Sequence, residues 1–165
     1  MSHVVWRIAT DTPDYEADDL AGTGAERTGG RWNRKGMPMV YASENIALAC
    51  LETFVHLAAV ALPFNRYLVR IDIPDEVWAR AERLSAATAP VGWDALPAGR
   101  TSIVFGADWL AARRGACLVA PSTIAPEESN VLINPLHPDA AGVTATKLRK
   151  WLYDPRMGRI TPPAS

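Results

Sequence analysis

A chain of 165 residues with 48% hydrophobic and 21% charged residues has the composition of an ordinary soluble globular protein, and its length suits one domain with a substantial core. The formal net charge of −1 argues against a general nucleic-acid-binding protein, whose basic surface would raise the sum. The two cysteines, Cys50 and Cys117, lie in apolar runs, which indicates buried thiols in a reducing compartment rather than a disulfide framework.

The N-terminal residues lack the basic-then-apolar pattern of a signal peptide. The longest apolar region, residues 46–64, is interrupted by Glu52, His56 and Pro63, so it is a poor membrane span and a good core helix. We therefore predict a cytoplasmic protein with no membrane segment.

The first part of the chain predicts a strand, a loop and a second strand. Residues 3–8 read as the first strand, and the polar residues 11–25 as a loop. Gly29-Gly30 and Lys35-Gly36 predict two turns. Residues 39–42 then predict a short strand.

A helix is predicted next, capped by Ser43 and beginning at Glu44. Leu48, Leu51 and Val55 recur at helical spacing. Glu52 and His56 lie four residues apart and therefore on one face. Glu52 is the only charged side chain between Asn45 and Asn65. A carboxylate in such surroundings must be paired or put to use, because burying it unpaired is costly.

The remaining chain mixes strands and helices without regular alternation, which favours a single α+β domain over a doubly wound sheet. We expect the domain to cover residues 1–160 and residues 161–165 to form a loose tail. The predicted elements are a strand at 66–73, a short helix at 76–84, a surface connection at 86–99, a helix at 101–114 capped by Thr101, strands at 116–120 and 130–134, and a helix at 144–152.

Metal and standard nucleotide motifs are absent from the sequence. His3, His56 and His137 are scattered, and no CxxC, HxxxH or HExxH pattern occurs, so we predict no zinc site. No GxSxG motif is present, although a serine–histidine–aspartate triad needs no such motif. The glycines of residues 22–30 do not have Rossmann or P-loop spacing.

Arg31, Tyr41 and Glu52 remain as candidate functional residues within 22 positions. Each has a structural explanation alone: a surface arginine after a turn, an aromatic at the edge of the core, and a buried glutamate paired with an arginine. Together they supply a cation, a flat ring and a sheltered carboxylate. Such a set suits a ligand with phosphates, a flat ring and a developing positive charge.

Several short motifs occur in a specific order, namely Trp6-Arg7-Ile8, Gly30-Arg31-Trp32-Asn33, Val40-Tyr41-Ala42, Leu51-Glu52 with His56, Pro121-Ser122 and the run from Asn130 to Pro138. With these motifs the chain resembles, over nearly its whole length, the RES-domain toxins of RES–Xre toxin–antitoxin pairs. The family is named for an arginine, a glutamate and a serine, which correspond to Arg31, Glu52 and Ser122, with Ser129 as the alternative serine.

The resemblance implies an ADP-ribosyltransferase-like fold with short mixed or antiparallel sheets flanked by helices. It implies NAD+ as substrate and no metal. Members are toxic because they consume NAD+ or transfer its ADP-ribose to a protein, including an enzyme of nucleotide synthesis. The implied partner is an Xre-family helix-turn-helix antitoxin with a RES-antitoxin C-terminal domain, which would bind DNA in place of this chain.

Glu52, Arg31 and Tyr41 are the expected catalytic residues. Glu52 would stabilise the ribosyl cation, Arg31 would bind the pyrophosphate or orient the ribose, and Tyr41 would offer its face to nicotinamide. The expected substrate-binding residues are Arg7, Ser122, Trp32, Asn33, His56 and Asn130.

Transfer to a protein, hydrolysis and phosphorolysis all remain open, because they differ only in what attacks the cation. Arginine-directed transferases typically carry an acidic residue two positions before the catalytic glutamate, and Cys50 occupies that position here, which disfavours an arginine acceptor.

A different class, a non-enzymatic interaction module, would make Arg31 and Glu52 a structural ion pair. Release of nicotinamide from NAD+ would distinguish the enzyme from the module.

Overall fold

The computed structural model describes residues 1–57 and 63–158. Seven strands form one sheet around which the helices are arranged. In chain order the elements are β1 (Ser2–Thr10), α1 (Thr23–Thr28), β2 (Val40–Ser43), α2 (Ile46–Phe54), β3 (Arg66–Pro74), α3 (Asp75–Ala79), β4 (Glu82–Arg83), α4 (Arg100–Ala111), β5 (Cys117–Pro121), β6 (Ser129–Ile133) and β7 (Thr144–Lys150), with 3-10 turns at Pro138–Gly142 and Pro155–Gly158.

The strand order is β4-β5-β6-β2-β1-β3-β7, and every neighbouring pair is antiparallel except β4 and β5. β1 and β3 pair along their full lengths, whereas β1 and β2 meet only at Trp6 opposite Ser43. This single pair joins the two halves of the sheet. α2 packs against both β1 and β2 and therefore lies across this junction.

The sheet has a continuous apolar core on one face and two apolar clusters on the other. Because side chains alternate along a strand, Val5, Val69 and Val131 share the first face. The second face carries one cluster around Trp109 and another around Ile8. Ser43 and Asn130 form a cross-strand pair, and their side chains are hydrogen-bonded on this second face. Polar groups therefore lie near the junction of β1 and β2.

The α+β prediction and the five strands corresponding to β1, β2, β3, β5 and β6 are confirmed. The predicted helix at 144–152 is wrong, because residues 144–150 form β7, the exposed edge strand beside β3. Helical propensity there is overridden by pairing with β3, a partner more than 70 residues away in the sequence.

Four local predictions also need correction. The helix at 76–84 ends at Ala79 and is followed by β4, and the loop at 11–25 already contains the start of α1. Asn45, not Ser43, caps α2, since its side chain accepts a hydrogen bond from Leu48 N. Gly99 rather than Thr101 is the N-cap of α4.

Two predictions lie outside the described residues: part of the apolar region at 46–64, and the loose tail at 161–165. Within the described part of the chain, none of the helices has the length and apolar character needed to cross a membrane.

Candidate active site

The carboxylate of Glu52 is held by two side-chain donors. Glu52 lies in the second turn of α2 and is half-buried. Its Oε1 accepts hydrogen bonds from Ser122 Oγ at 2.7 Å and from Asn130 Nδ2 at 2.6 Å. No described residue donates a hydrogen bond to Oε2 or forms an ion pair with Glu52. One carboxylate oxygen is thus fixed and the other is open to a ligand.

Ser122 directs its proton to Glu52 because its oxygen is already an acceptor elsewhere. Ser122 follows β5 and is fully buried. Its Oγ accepts hydrogen bonds from the backbone N–H groups of Ile124 at 3.0 Å and Ala125 at 3.2 Å. Ser129 precedes Asn130 on β6 and therefore points to the opposite face of the sheet. Of the two candidate serines, Ser122 is the one that contacts Glu52.

Asn130 connects Glu52 to the sheet. It lies on β6 opposite Ser43 of β2, and Ser43 Oγ donates a hydrogen bond to Asn130 Oδ1 at 2.8 Å. The amide group therefore has a partner at each end. Sequence reasoning treated Ser43 only as a helix cap; the strand alternation that places Tyr41 and Ser43 on one face was the signal that could have identified it.

Tyr41 and Asn33 fix the loop that carries Arg31. The Tyr41 hydroxyl donates to Asn33 Oδ1 at 2.6 Å and accepts from Trp32 N at 3.0 Å. Asn33 Nδ2 donates to the carbonyl groups of Ala25 and Met37, both at 2.9 Å. Burial raises the pKa of the Tyr41 hydroxyl, outweighing the lowering by the Trp32 hydrogen bond and by the charge of Arg31. Tyr41 therefore keeps its proton at neutral pH and acts as a donor.

Trp32 and Asn33 are buried and have structural roles. Trp32 is 2% exposed and packs edge-on against Phe105 of α4, with ring centroids 6.0 Å apart. Asn33 is 1% exposed, and its amide is fully used within the loop. The structure therefore places these two predicted substrate-binding residues behind the site, where they support Arg31.

Arg31 is anchored at one nitrogen only. Its Nη1 donates to the carbonyl groups of Trp93 at 2.8 Å and Ala95 at 2.9 Å. The other guanidinium nitrogens make no hydrogen bond within the described part of the chain. No ion pair joins Arg31 to Glu52 among these residues, so the ion pair required by the interaction-module alternative is not present.

Arg7 is not brought to Glu52. It lies opposite Val69 in the β1–β3 register, on the face of the sheet that carries the continuous core. Its Nη1 donates to the Asp19 carbonyl at 2.9 Å, and burial lowers the pKa of its guanidinium group. The sheet thus separates Arg7 from the Glu52 carboxylate. His56, in the turn that follows α2, is exposed to solvent.

An open cavity of about 490 Å³ lies beside the loop that carries Arg31. Gly29, Gly30, Arg34 and Lys35 line one side, and residues 97–98 another. Glu52 is not among its lining residues. The two cations, Arg34 and Lys35, were not identified as candidates from the sequence. Among the described residues, no group of three or more His, Cys, Asp or Glu side chains is arranged to hold a metal ion.

Tyr41→Phe is expected to destabilise the folded protein by about 1–3 kcal/mol, because Asn33 Oδ1 and Trp32 N both lose their partner in a buried place. Chemical denaturation followed by circular dichroism measures this free energy of unfolding. Tyr67→Phe is the matched control and should change the free energy of unfolding little, because the hydroxyl of this half-buried tyrosine makes no hydrogen bond within the described part of the chain. Equal stability of Tyr41→Phe and the wild type would contradict the supporting role of the hydroxyl.

Comparison with known proteins settles the family. The model of the RES domain family matches residues 4–155. The chain belongs to the RES domain family.

Relatives of this RES domain are named as toxins. The "Prs ADP-ribosylating toxin" of Sphingobium sp. (strain YBL2) is 61% identical over 159 residues, which cover 96% of this chain and 99% of the relative. A "Toxin Res" of Yersinia enterocolitica is 33% identical over 144 residues, covering 87% and 93%. A "Toxin Res" of Pseudomonas putida is 36% identical over 139 residues, covering 83% and 88%. The prediction of a RES-domain toxin is confirmed.

Proposed function

We propose that this RES-domain protein cleaves the nicotinamide–ribose bond of NAD+ and transfers the ADP-ribose to a protein acceptor. The observation that carries the proposal is the Glu52 carboxylate, with Oε1 held by Ser122 and Asn130 and Oε2 open. The name of the relative in Sphingobium supports ADP-ribosylation as the activity.

Glu52 has the features needed to stabilise the reacting ribose. Loss of nicotinamide leaves positive charge on the ribosyl carbon and ring oxygen, as in glycoside cleavage. A carboxylate that is already oriented by Ser122 and Asn130 needs no rearrangement when this charge develops. In the proposed complex, Oε2 accepts a hydrogen bond from a ribose hydroxyl, and the negative charge faces the cation.

Arg31 is the proposed ligand of the pyrophosphate. Its anchored Nη1 fixes the guanidinium plane, while Nη2 and Nε remain for phosphate oxygens. A planar guanidinium binds two phosphate oxygens at once, which a lysine cannot do. Tyr41, whose hydroxyl is used within the loop, contributes only its ring to the nicotinamide. Arg7, on the other face of the sheet, is left out of this assignment.

The acceptor is proposed from the relative in Sphingobium, which is named for ADP-ribosylation of Prs. Glu52 alone would also support attack by water or phosphate on the same cation, which would make the protein an NAD+ glycohydrolase or phosphorylase. A direct test incubates the purified protein with NAD+ labelled in the ADP-ribose part, with and without phosphate, Prs and cell lysate, and follows the products by mass spectrometry.

Nicotinamide release with label on Prs or another protein is the expected result. Free ADP-ribose alone would indicate hydrolysis, and a phosphorylated ADP-ribose would indicate phosphorolysis. Either product without labelled protein would overturn the transfer reaction. Intact NAD+ in every reaction would overturn the enzyme altogether.

The proposed partner is an Xre-family helix-turn-helix antitoxin that covers the site. Leu51 and Val55 are 39% and 56% exposed, and their four-residue spacing places them on one face of the segment that carries Glu52. Exposed apolar side chains beside a catalytic carboxylate suit contact with another chain. A partner docked there would occlude the carboxylate.

Val55→Glu is expected to raise the antitoxin concentration needed for half-inhibition of nicotinamide release by at least about tenfold, because a charge replaces an apolar contact. Basal nicotinamide release should change little, because the hydrogen bonds that orient the Glu52 carboxylate come from Ser122 and Asn130 and not from Val55. Val91→Glu, the same change at a side chain that is 94% exposed and elsewhere on the surface, is the control. If the antitoxin inhibited the wild type, Val55→Glu and Val91→Glu equally, this face would not be the docking site. If the complex saturated with antitoxin released nicotinamide as fast as the isolated toxin, the antitoxin would not occlude the carboxylate.

A further inference from the structure

Ser43 has a buried hydroxyl that contacts no candidate catalytic residue directly. It is the last residue of β2 and is 3% exposed. Its Oγ lies 2.8 Å from Asn130 Oδ1, and the two residues are directly paired across β2 and β6. The sheet register therefore fixes the distance between them.

The chemistry of the neighbouring groups fixes the direction of each hydrogen bond. An ionised carboxylate only accepts, so the NH2 group of Asn130 must face Glu52. The carbonyl oxygen of the same amide must then face Ser43, and Ser43 must donate. The order of donation is Ser43 to Asn130 to Glu52.

An asparagine amide can occupy two orientations, because its terminal torsion is broad and nearly two-fold. In the flipped orientation, the carbonyl oxygen of Asn130 would face the Glu52 carboxylate, two acceptors in contact. The Glu52 carboxylate selects the orientation in which NH2 faces it, and the hydrogen bond from Ser43 to the carbonyl oxygen holds the amide in that place. Loss of this hydroxyl leaves a buried carbonyl without its donor and removes the bond that holds the amide against Glu52.

We propose that Ser43 is a positioning residue for catalysis, which acts on Glu52 through Asn130 and does not touch the substrate. This inference rests on the proposed function. Ser122 holds Oε1 from one side, and the amide set by Ser43 holds it from the other. With both donors in place, the open oxygen Oε2 keeps one direction toward the ribose.

Ser43→Ala is expected to lower kcat for nicotinamide release about tenfold and to leave KM nearly unchanged, because a misplaced carboxylate weakens stabilisation of the transition state more than binding of NAD+. Ser102→Ala is the matched control. Ser102 is 0% exposed, and within residues 1–57 and 63–158 its hydroxyl bonds only to the Gly99 carbonyl, so its loss should not change kcat.

Double replacement tests whether Ser43 acts through Asn130. If it does, the double variant Ser43→Ala/Asn130→Ala has the same kcat as Asn130→Ala alone, because the hydroxyl no longer has an amide to hold. If instead Ser43→Ala lowers kcat by the same factor with and without Asn130, the proposal is wrong. If Ser43 had a purely structural role, Ser43→Ala would lower the stability of both the wild type and the Asn130→Ala variant, and the effect on kcat would not disappear in the Asn130→Ala variant.

Ser43→Cys answers the same question if Ser43→Ala does not fold, because a thiol has nearly the same shape and is a weaker donor. A smaller fall in kcat is expected, and an unchanged kcat overturns the proposal. If the wild-type protein releases nicotinamide and Ser43→Ala has the same kcat, the inference about Ser43 is wrong and the proposed function stands. A wild-type protein that releases no nicotinamide overturns the proposed function, and the role of Ser43 with it.

Discussion

Glu52→Gln is expected to lower the rate of nicotinamide release from NAD+ by about 10²–10³-fold, the cost of losing one preorganised stabilising group. The variant should remain folded, because the amide oxygen of glutamine can still accept from Ser122 and Asn130. Only the negative charge that faces the ribosyl cation is lost. Single-turnover measurement of nicotinamide release, together with a thermal unfolding curve, separates the two effects.

Glu44→Gln provides the matched control for Glu52→Gln. Glu44 is an exposed glutamate immediately before Asn45, the N-cap of α2, so its replacement removes the same charge from the same region. Its rate should stay within about twofold of the wild type, since a surface charge contributes little. If a folded Glu52→Gln protein released nicotinamide as fast as Glu44→Gln, Glu52 would have no role in the reaction.

Gly106→Ala is expected to cost about 3 kcal/mol or more, at the upper end of overpacking effects. A Cβ atom on Gly106 would lie 1.8 Å from the Trp32 carbonyl oxygen and 2.6 Å from its carbonyl carbon. Backbone atoms cannot turn aside as a side chain can, so either α4 or the loop that carries Arg31 must move. Thermal unfolding should show a fall in Tm of about 6–12 °C for a domain of this size.

Gly115→Ala serves as the control for this substitution. A Cβ atom there would meet its nearest neighbour, the Cys117 carbonyl oxygen, at 3.7 Å, an ordinary contact. Its Tm should stay close to that of the wild type. If Gly106→Ala unfolded at the same temperature as Gly115→Ala, the close packing of α4 on the loop would be wrong.

Local patterns in the sequence predict the parts of the site that depend on one segment. Glu52 is conspicuous because no other charge occurs near it in the apolar helix, and the family motif adds Ser122. Arg7 shows what local patterns miss, since the β1–β3 register decides which face it occupies. Trp32 and Asn33 belong to the same motif as Arg31, yet their side chains turn inward.

The inference about the acceptor drawn from Cys50 depends on whether residues 50 and 52 share a face. Residues two apart share a face in a strand, but in a helix they are separated by about 200°. Cys50 and Glu52 both lie on α2, and Cys50 is buried beside Ile8 and Tyr153. Cys50 therefore does not share the face of Glu52, and the prediction that an arginine acceptor is disfavoured stays a prediction.

The dependence of Glu52 on distant partners has a consequence for synthesis on the ribosome. Arg31, Tyr41 and Glu52 emerge in the first third of the chain, but Ser122 and Asn130 emerge only after most of it has been made. β2 cannot gain its neighbour β6 until then. A chain that ends before Asn130 lacks a group that orients the carboxylate, so the cell that translates this protein meets the assembled site only after β6 has left the ribosome.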